Sequence, residues 1–153
     1  MNIINLKERP DLNDNIKLKN SYTQFECLLN ELAKRKLPDV VAEYINEEVK
    51  SLNRLPTGEE LKKALKKKQA KIIQLVEKQL KIVPKNYYRN MWLALGMSVF
   101  GLPLGVAIGL SLGNIGLLGI GLPIGMAIGA GVGSGMDKKA LQEGRQLDIE
   151  IKH

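Results

Sequence analysis

The chain has 153 residues, one cysteine and a net charge of +7, enough for one domain or for one small domain with a membrane segment. A single cysteine, Cys27, excludes an intramolecular disulfide framework and gives no sign of an oxidising compartment. The opening Met1 to Pro10 has no apolar core and no cleavage site of a secretory signal, and it is too acidic and too poor in Arg and Ser for an organelle transit peptide.

The mean hydropathy of −0.11 averages unlike parts. Residues 1–90 carry 19 Lys/Arg against 12 Asp/Glu, residues 137–153 carry four of each, and the 46 residues from Met91 to Met136 carry no Asp, Glu, Lys, Arg or His. The chain therefore divides into a loose N-terminal arm over 1–19, a basic helical module over 20–90, an apolar segment over 91–136 and a polar tail over 137–153. Abundant Lys, Asn and Ile suit an AT-rich bacterial genome.

Residues 1–19 show no sustained periodicity. Ser21 and Gln24 have capping-box spacing, and Tyr22, Phe25, Leu28, Leu29 and Leu32 recur at helical intervals, which predicts a first helix over 21–36 ended by Pro38. Cys27 falls inside it and reads as a buried small residue. A second helix starts at Pro38-Asp39, with Val41, Ile45, Glu48 and Leu52 along one face and Val40, Tyr44 and Val49 beside them, and closes at Leu55-Pro56. Thr57 to Glu60 is a second capping box. The third helix, over 58–82, has the apolar stripe Leu61, Ala64, Leu65, Ile72, Leu75, Val76 and Leu80. These positions suffice for a helical hairpin or a three-helix bundle, or else call for a partner, the membrane surface or another copy.

From Lys62 to Arg89 there are ten Lys/Arg and one acid, Glu77. Three readings stand for this run: a solvated helix face, attraction to anionic lipid at the membrane surface, or nucleic-acid binding; residues 20–90 as a whole also offer a surface for a cytosolic protein partner. Nucleic acid is the weakest candidate, because no aromatic residues interleave the lysines and no motif accompanies them.

The apolar segment holds 13 of the 15 glycines. As one helix it would be roughly 69 Å long, against a hydrocarbon core of about 30 Å, so it is too long for one crossing and right for two. Gly113-Asn114 is the natural turn, which places spans over Trp92–Leu112 and Ile115–Gly135. Thirteen residues from Gly101 repeat twenty positions later with eight identities. Gly101, Gly105, Gly109 and Gly113 match Gly121, Gly125, Gly129 and Gly133, with Gly131 and Gly135 extending the second row. Glycines four apart make one flat helix face, which permits the close van der Waals contact that drives helix association in lipid. Pro103 and Pro123 occupy equivalent places and should each kink a span, as packing kinks or as hinges of a pore.

Lys78, Lys81, Lys85 and Arg89 precede the first span and Lys138 and Lys139 follow the second, while the turn is uncharged. The positive-inside bias puts both termini in the cytoplasm and the turn outside, as expected of a multi-pass protein of the cell (inner) membrane. Tyr87, Tyr88 and Trp92 sit where an interfacial aromatic belt belongs.

The glycine rows over residues 101–135 resemble the glycine-zipper segments of small bacterial membrane proteins and of some pore-forming toxins and effectors. That resemblance implies oligomerisation in the membrane and, in some members, permeabilisation.

No catalytic constellation is present in the sequence, and no cofactor or metal site is expected. His153 is terminal, no phosphate-binding loop occurs, and the adjacent pairs Glu47-Glu48 and Glu59-Glu60 read as solvated or capping groups. The expectation is an all-α, non-enzymatic membrane protein that self-associates as a homo-oligomer through its glycine faces. Two purposes stay open: a pore or permeabilising assembly of the toxin, defence or stress type, or a non-conducting anchor for the basic module. The spans offer only Ser98, Ser111, Asn114 and Ser134 as polar side chains, few for a selective aqueous path.

Overall fold

The computed structural model describes residues 2–152, apart from the side chains of Asn13 and Asp14; the terminal His153, expected to fray, lies outside the described residues. The fold is all-α with one small sheet. Its elements are α1 (Ile16–Ala33), α2 (Asp39–Arg54), α3 (Glu59–Leu80), β1 (Val83–Lys85), α4 (Tyr87–Leu95), a π-helical segment (Gly96–Gly101), α5 (Leu102–Ser111), α6 (Leu118–Gln142) and β2 (Gln146–Glu150). β1 and β2 pair as a two-stranded sheet that the sequence reading did not anticipate. The chain forms two compact units, Met1–Val83 with Leu147–Ile151, and Pro84–Gln146 with Lys152–His153. The polar tail is thus not a separate segment: α6 takes its start and β2 returns residues 147–151 to the first unit.

The first unit is a three-helix core. Tyr22, Phe25, Leu28, Leu29 and Leu32 of α1 are buried as their spacing requires, as are Val41, Ile45, Val49 and Leu52 of α2 and Leu61, Leu65, Ile72 and Val76 of α3, and α1 and α2 each pack on α3. Val40 is 73% exposed. Cys27 is also exposed, contrary to expectation, because at 100° per residue it lies on the far side of α1 from Phe25.

α1 begins five residues ahead of the expected Ser21. Its cap is Asn15, whose side chain accepts from Leu18 N at 3.0 Å, and Ser21 sits inside the helix with its hydroxyl donating to Lys17 O. The Thr57 box is not made either: Gly58 occupies the cap position of α3 with no side-chain bond. The Thr57 hydroxyl instead accepts from Arg9, whose guanidinium also donates to the carbonyls of Leu52, Asn53 and Leu55 at the end of α2.

The arm expected to be loose is held along α2. Asn46 accepts from Ile4 N at 2.8 Å and donates to Asn2 O at 3.0 Å; seven residues on, Asn53 accepts from Lys7 N at 2.8 Å and donates to Asn5 O at 3.4 Å. Each carboxamide pairs with the backbone of the extended arm as another strand would. Tyr22 donates its hydroxyl to Lys7 O beside them.

Glu48 is not merely solvated, since it pairs with Lys68 of α3. Burial works to raise the Glu48 carboxyl, but hydrogen bonds from Lys68 and Tyr44, with the charges of Lys68 and Lys71, together hold it below its ordinary value of 4.5. A depressed carboxyl contributes stability that is present above the unfolded value and lost as pH falls through the lower folded one. Acid titration of the folded unit should therefore show a loss of stability beginning below about pH 4.5. Glu48→Gln should flatten part of that loss and cost on the order of 1–3 kcal/mol at neutral pH; an unchanged acid transition would count against the pair.

Candidate functional site

The second unit is a helical hairpin. Tyr87–Ser111 and Ile115–Gln142 are each long and apolar enough to cross a membrane, and each runs close to its expected span. The reversal falls where expected: Gly113 adopts φ +64°, and the Asn114 side chain accepts from Gly116 N at 3.0 Å, capping the short turn that leads into α6.

The glycine faces meet each other within this one chain. A methyl group added at Gly96, Gly105, Gly121, Gly125, Gly129 or Gly133 would lie less than 3.0 Å from backbone of the opposing helix, a separation that side chains do not tolerate. Gly101 approaches Gly121 O, with 3.1 Å left for such a carbon, and Gly109 approaches Asn114 O, with 3.3 Å. The register is antiparallel and unbroken: Gly133 lies against Tyr88 and Arg89, Gly129 against Trp92, Gly125 against Gly96 and Gly101, and Gly121 against Gly101 and Gly105. Only glycine allows main chains to approach this closely.

Two corrections follow for the rows themselves. Gly113 has open space where a side chain would be, so it carries the turn and not the packing. Gly96, which the four-residue spacing omits, is buried in the interface. The reason is the π segment. Gly96 and Gly101 are five apart, and an α-helix would turn them 500° relative to each other, onto faces well over 100° apart. Over Gly96–Gly101 the helix widens, with Leu102 N donating to Met97 O five residues back, so one extra residue is absorbed and both glycines keep one face. Pro103 follows directly at the start of α5, where its missing N–H leaves the carbonyl four residues back without its α-helical donor. Pro123, its partner in the repeat, lies inside α6, which runs on through it. The two prolines are thus equivalent in sequence and not in surroundings.

Deleting Val99 should therefore be tolerated, since Gly96 and Gly101 would become four apart in a regular helix. Deleting Val106 should not, since it would rotate Gly109 about 100° out of the face. Protease resistance of the two deletion variants in lipid measures the difference; equal loss in both would overturn the assignment of the π segment to register.

Outside the glycine faces the hairpin is apolar on every side. Eighteen of its large hydrophobic side chains are exposed, from Met91 and Leu95 through Phe100, Leu110 and Ile124 to Leu141. Only 22% and 17% of the most apolar 18 residues of the two helices are buried. The hydroxyl of Ser98 donates to Ala94 O within its own helix, and Ser111 and Ser134 are exposed.

At the open end, Asp137 of α6 is 6% exposed. Its Oδ1 accepts from Tyr88 N at 3.1 Å and its Oδ2 from Arg89 N at 2.9 Å. α4 has no side-chain cap of its own, since Asn86 at its cap position is left-handed and makes no such bond. Asp137 supplies that cap from the other helix, a negative group at the positive helix end. Reading the chain as a polar tail from residue 137 onward passed over it.

The flanking residues are placed unevenly. Lys78, Lys81, Lys85, Arg89, Lys138 and Lys139 are exposed, with Lys81 3.4 Å from Glu77 and Lys139 3.9 Å from Glu143. Of the expected aromatic belt, Tyr88 is buried and edge-on to Tyr87, ring centroids 5.3 Å apart. Trp92 is half-buried, and its indole N–H is shielded with no acceptor. Among the described residues no group of His, Cys, Asp or Glu converges as a metal site would. Compared with family models, curated proteins and solved structures, the chain matches none.

Proposed function

We propose that the protein is an integral membrane anchor: a closed two-span hairpin that holds the folded, basic three-helix unit at the membrane surface. The observation that carries this reading is the closure of both glycine faces on each other within one chain, with apolar side chains turned outward all round. A hairpin so closed satisfies its own packing before it meets a second copy. The solvent suited to its outer face is lipid. The positive flanks support cytoplasmic termini.

Assembly of several hairpins, with or without permeabilisation, is the second reading. It is favoured by Gly131 and Gly135, four apart on α6 and so on one face, where nothing lies within 4 Å of an added methyl group, so that side of the helix stays open to close approach. Dye release from liposomes carrying increasing amounts of protein separates the two. An anchor gives no leakage at any density, whereas leakage that rises steeply with protein per vesicle would replace it with the assembly reading. Proteolysis of spheroplasts tests orientation, and removal of residues 1–90 from outside would reverse it.

A further inference from the structure

One face of α3 carries five lysines, of which Lys71 alone contributes to holding an acid of the first unit, Glu48, in its charged form. The helix buries Leu61, Leu65, Gln69, Ile72, Ile73 and Val76 on one side, which turns Lys63, Lys66, Lys67, Lys71 and Lys78 outward, all exposed. The acids bordering this face are engaged at two of three positions: Glu59 pairs with Lys62 at 3.1 Å and Glu77 with Lys81 at 3.4 Å, leaving Glu60 at the very start of the helix. Between Glu60 and Glu77 the outward positions are lysine, Ala70 or Gln74. The five lysines run along about 22 Å of helix, at 1.5 Å per residue.

We infer that this α3 face docks on anionic phospholipid headgroups of the leaflet in which the hairpin begins and ends. The inference rests on the anchor reading above. Charge complementarity selects the class of partner: compact, strongly hydrated ammonium groups on flexible stems suit a diffuse field of phosphates, whereas base or bidentate phosphate recognition calls for arginine and aromatic groups, both missing from this face. Connectivity selects the source. Lys78 stands nine residues before Tyr87, where the first span opens, so the chain between them reaches at most about 30 Å. β2 makes a second covalent link from the end of α6 back to the first unit. A basic face tied twice to a membrane helix meets headgroups at high effective concentration.

The test uses the full chain in lipid nanodiscs, either neutral phosphatidylcholine or a mixture with about three parts in ten phosphatidylglycerol, to supply the surface charge. Trace acetylation of lysines is read by mass spectrometry, with Lys17 and Lys36 as exposed references. Retention of the hairpin after an alkaline wash is scored in the same samples. The expected result is retention in both discs, with Lys63, Lys66, Lys67, Lys71 and Lys78 acetylated at least threefold more slowly in the anionic disc alone. That protection should vanish in about 1 M salt, where screening falls to about 3 Å. The triple variant Lys63→Gln, Lys67→Gln, Lys71→Gln should keep its helix content while Lys66 and Lys78 lose their protection. Retention with equal acetylation in both discs overturns the lipid-docking inference and leaves the anchor standing. Loss of the hairpin in the wash overturns the anchor, and the inference with it. Protection that requires added RNA or DNA, or that persists in the glutamine variant, also overturns it.

Discussion

Replacing Gly129 by alanine should open the hairpin, and replacing Gly131, two residues along the same helix, should not. A methyl group at Gly129 meets the carbonyl of Trp92 and the backbone of Gly96, whereas one at Gly131 meets nothing within 4 Å. Overpacking a formed interface costs about 1–3 kcal/mol, and more where the obstacle is backbone that cannot change rotamer. Gly121, Gly125 and Gly133 face backbone in the same way and should show the same loss, greater again for Gly125→Leu. At Gly119, Gly131 and Gly135 only the helix-propensity term is left, and it favours alanine by up to about 1 kcal/mol in water. The two sets should thus differ in sign as well as size. Spin labels at the exposed positions Leu102 and Ile120, on opposite arms of the hairpin, report the outcome in lipid: a short, narrow distance for wild type and Gly131→Ala, and a broad, longer one for Gly129→Ala. If inner and outer alanines behaved alike, the faces would not be what closes the hairpin.

The contrast also shows where sequence reading reaches its limit. Freedom from charge, length and the tandem glycines located both long apolar helices and the turn, because those properties follow from what a membrane-crossing length of helix and a tight reversal require. Four-residue spacing cannot say which backbone fills a glycine face, since a second copy and the other arm of the same chain make the same contact. Gly96 escaped notice because its neighbour in the row is five residues away, and only a helix of altered pitch brings the two together. In the first unit the apolar stripes were legible, while the polar devices were not. Asn46 and Asn53 look like ordinary surface residues of α2 until an extended arm lies against them. The capping boxes at Ser21 and Thr57 were sound patterns displaced by competition, in one case from a better cap at Asn15 and in the other from the guanidinium of Arg9.

Asp137 was hidden for a related reason, its partners lying 48 and 49 residues away, and its removal should have the second large effect. Asp137→Ala takes from the N–H groups of Tyr88 and Arg89 the two carboxylate acceptors at the point where the apolar stretch begins. Losing the acceptor of the buried Tyr88 N–H costs about 1–3 kcal/mol, that of the part-buried Arg89 N–H less, and the favourable charge at the positive end of α4 is lost as well. A total of about 2–4 kcal/mol is expected, which corresponds to a roughly 30- to 1,000-fold larger equilibrium constant for opening at that end. Hydrogen exchange reads it directly: the amides of Tyr88 and Arg89 should lose protection first, while those of α5 near the turn, held by Gly105 and Gly109, should keep theirs. Asp137→Asn should fall between, because its carbonyl oxygen can accept one bond while its amino group faces a second donor. Unchanged exchange at Tyr88 and Arg89 in the alanine variant would mean that the glycine faces alone hold the hairpin shut at its open end.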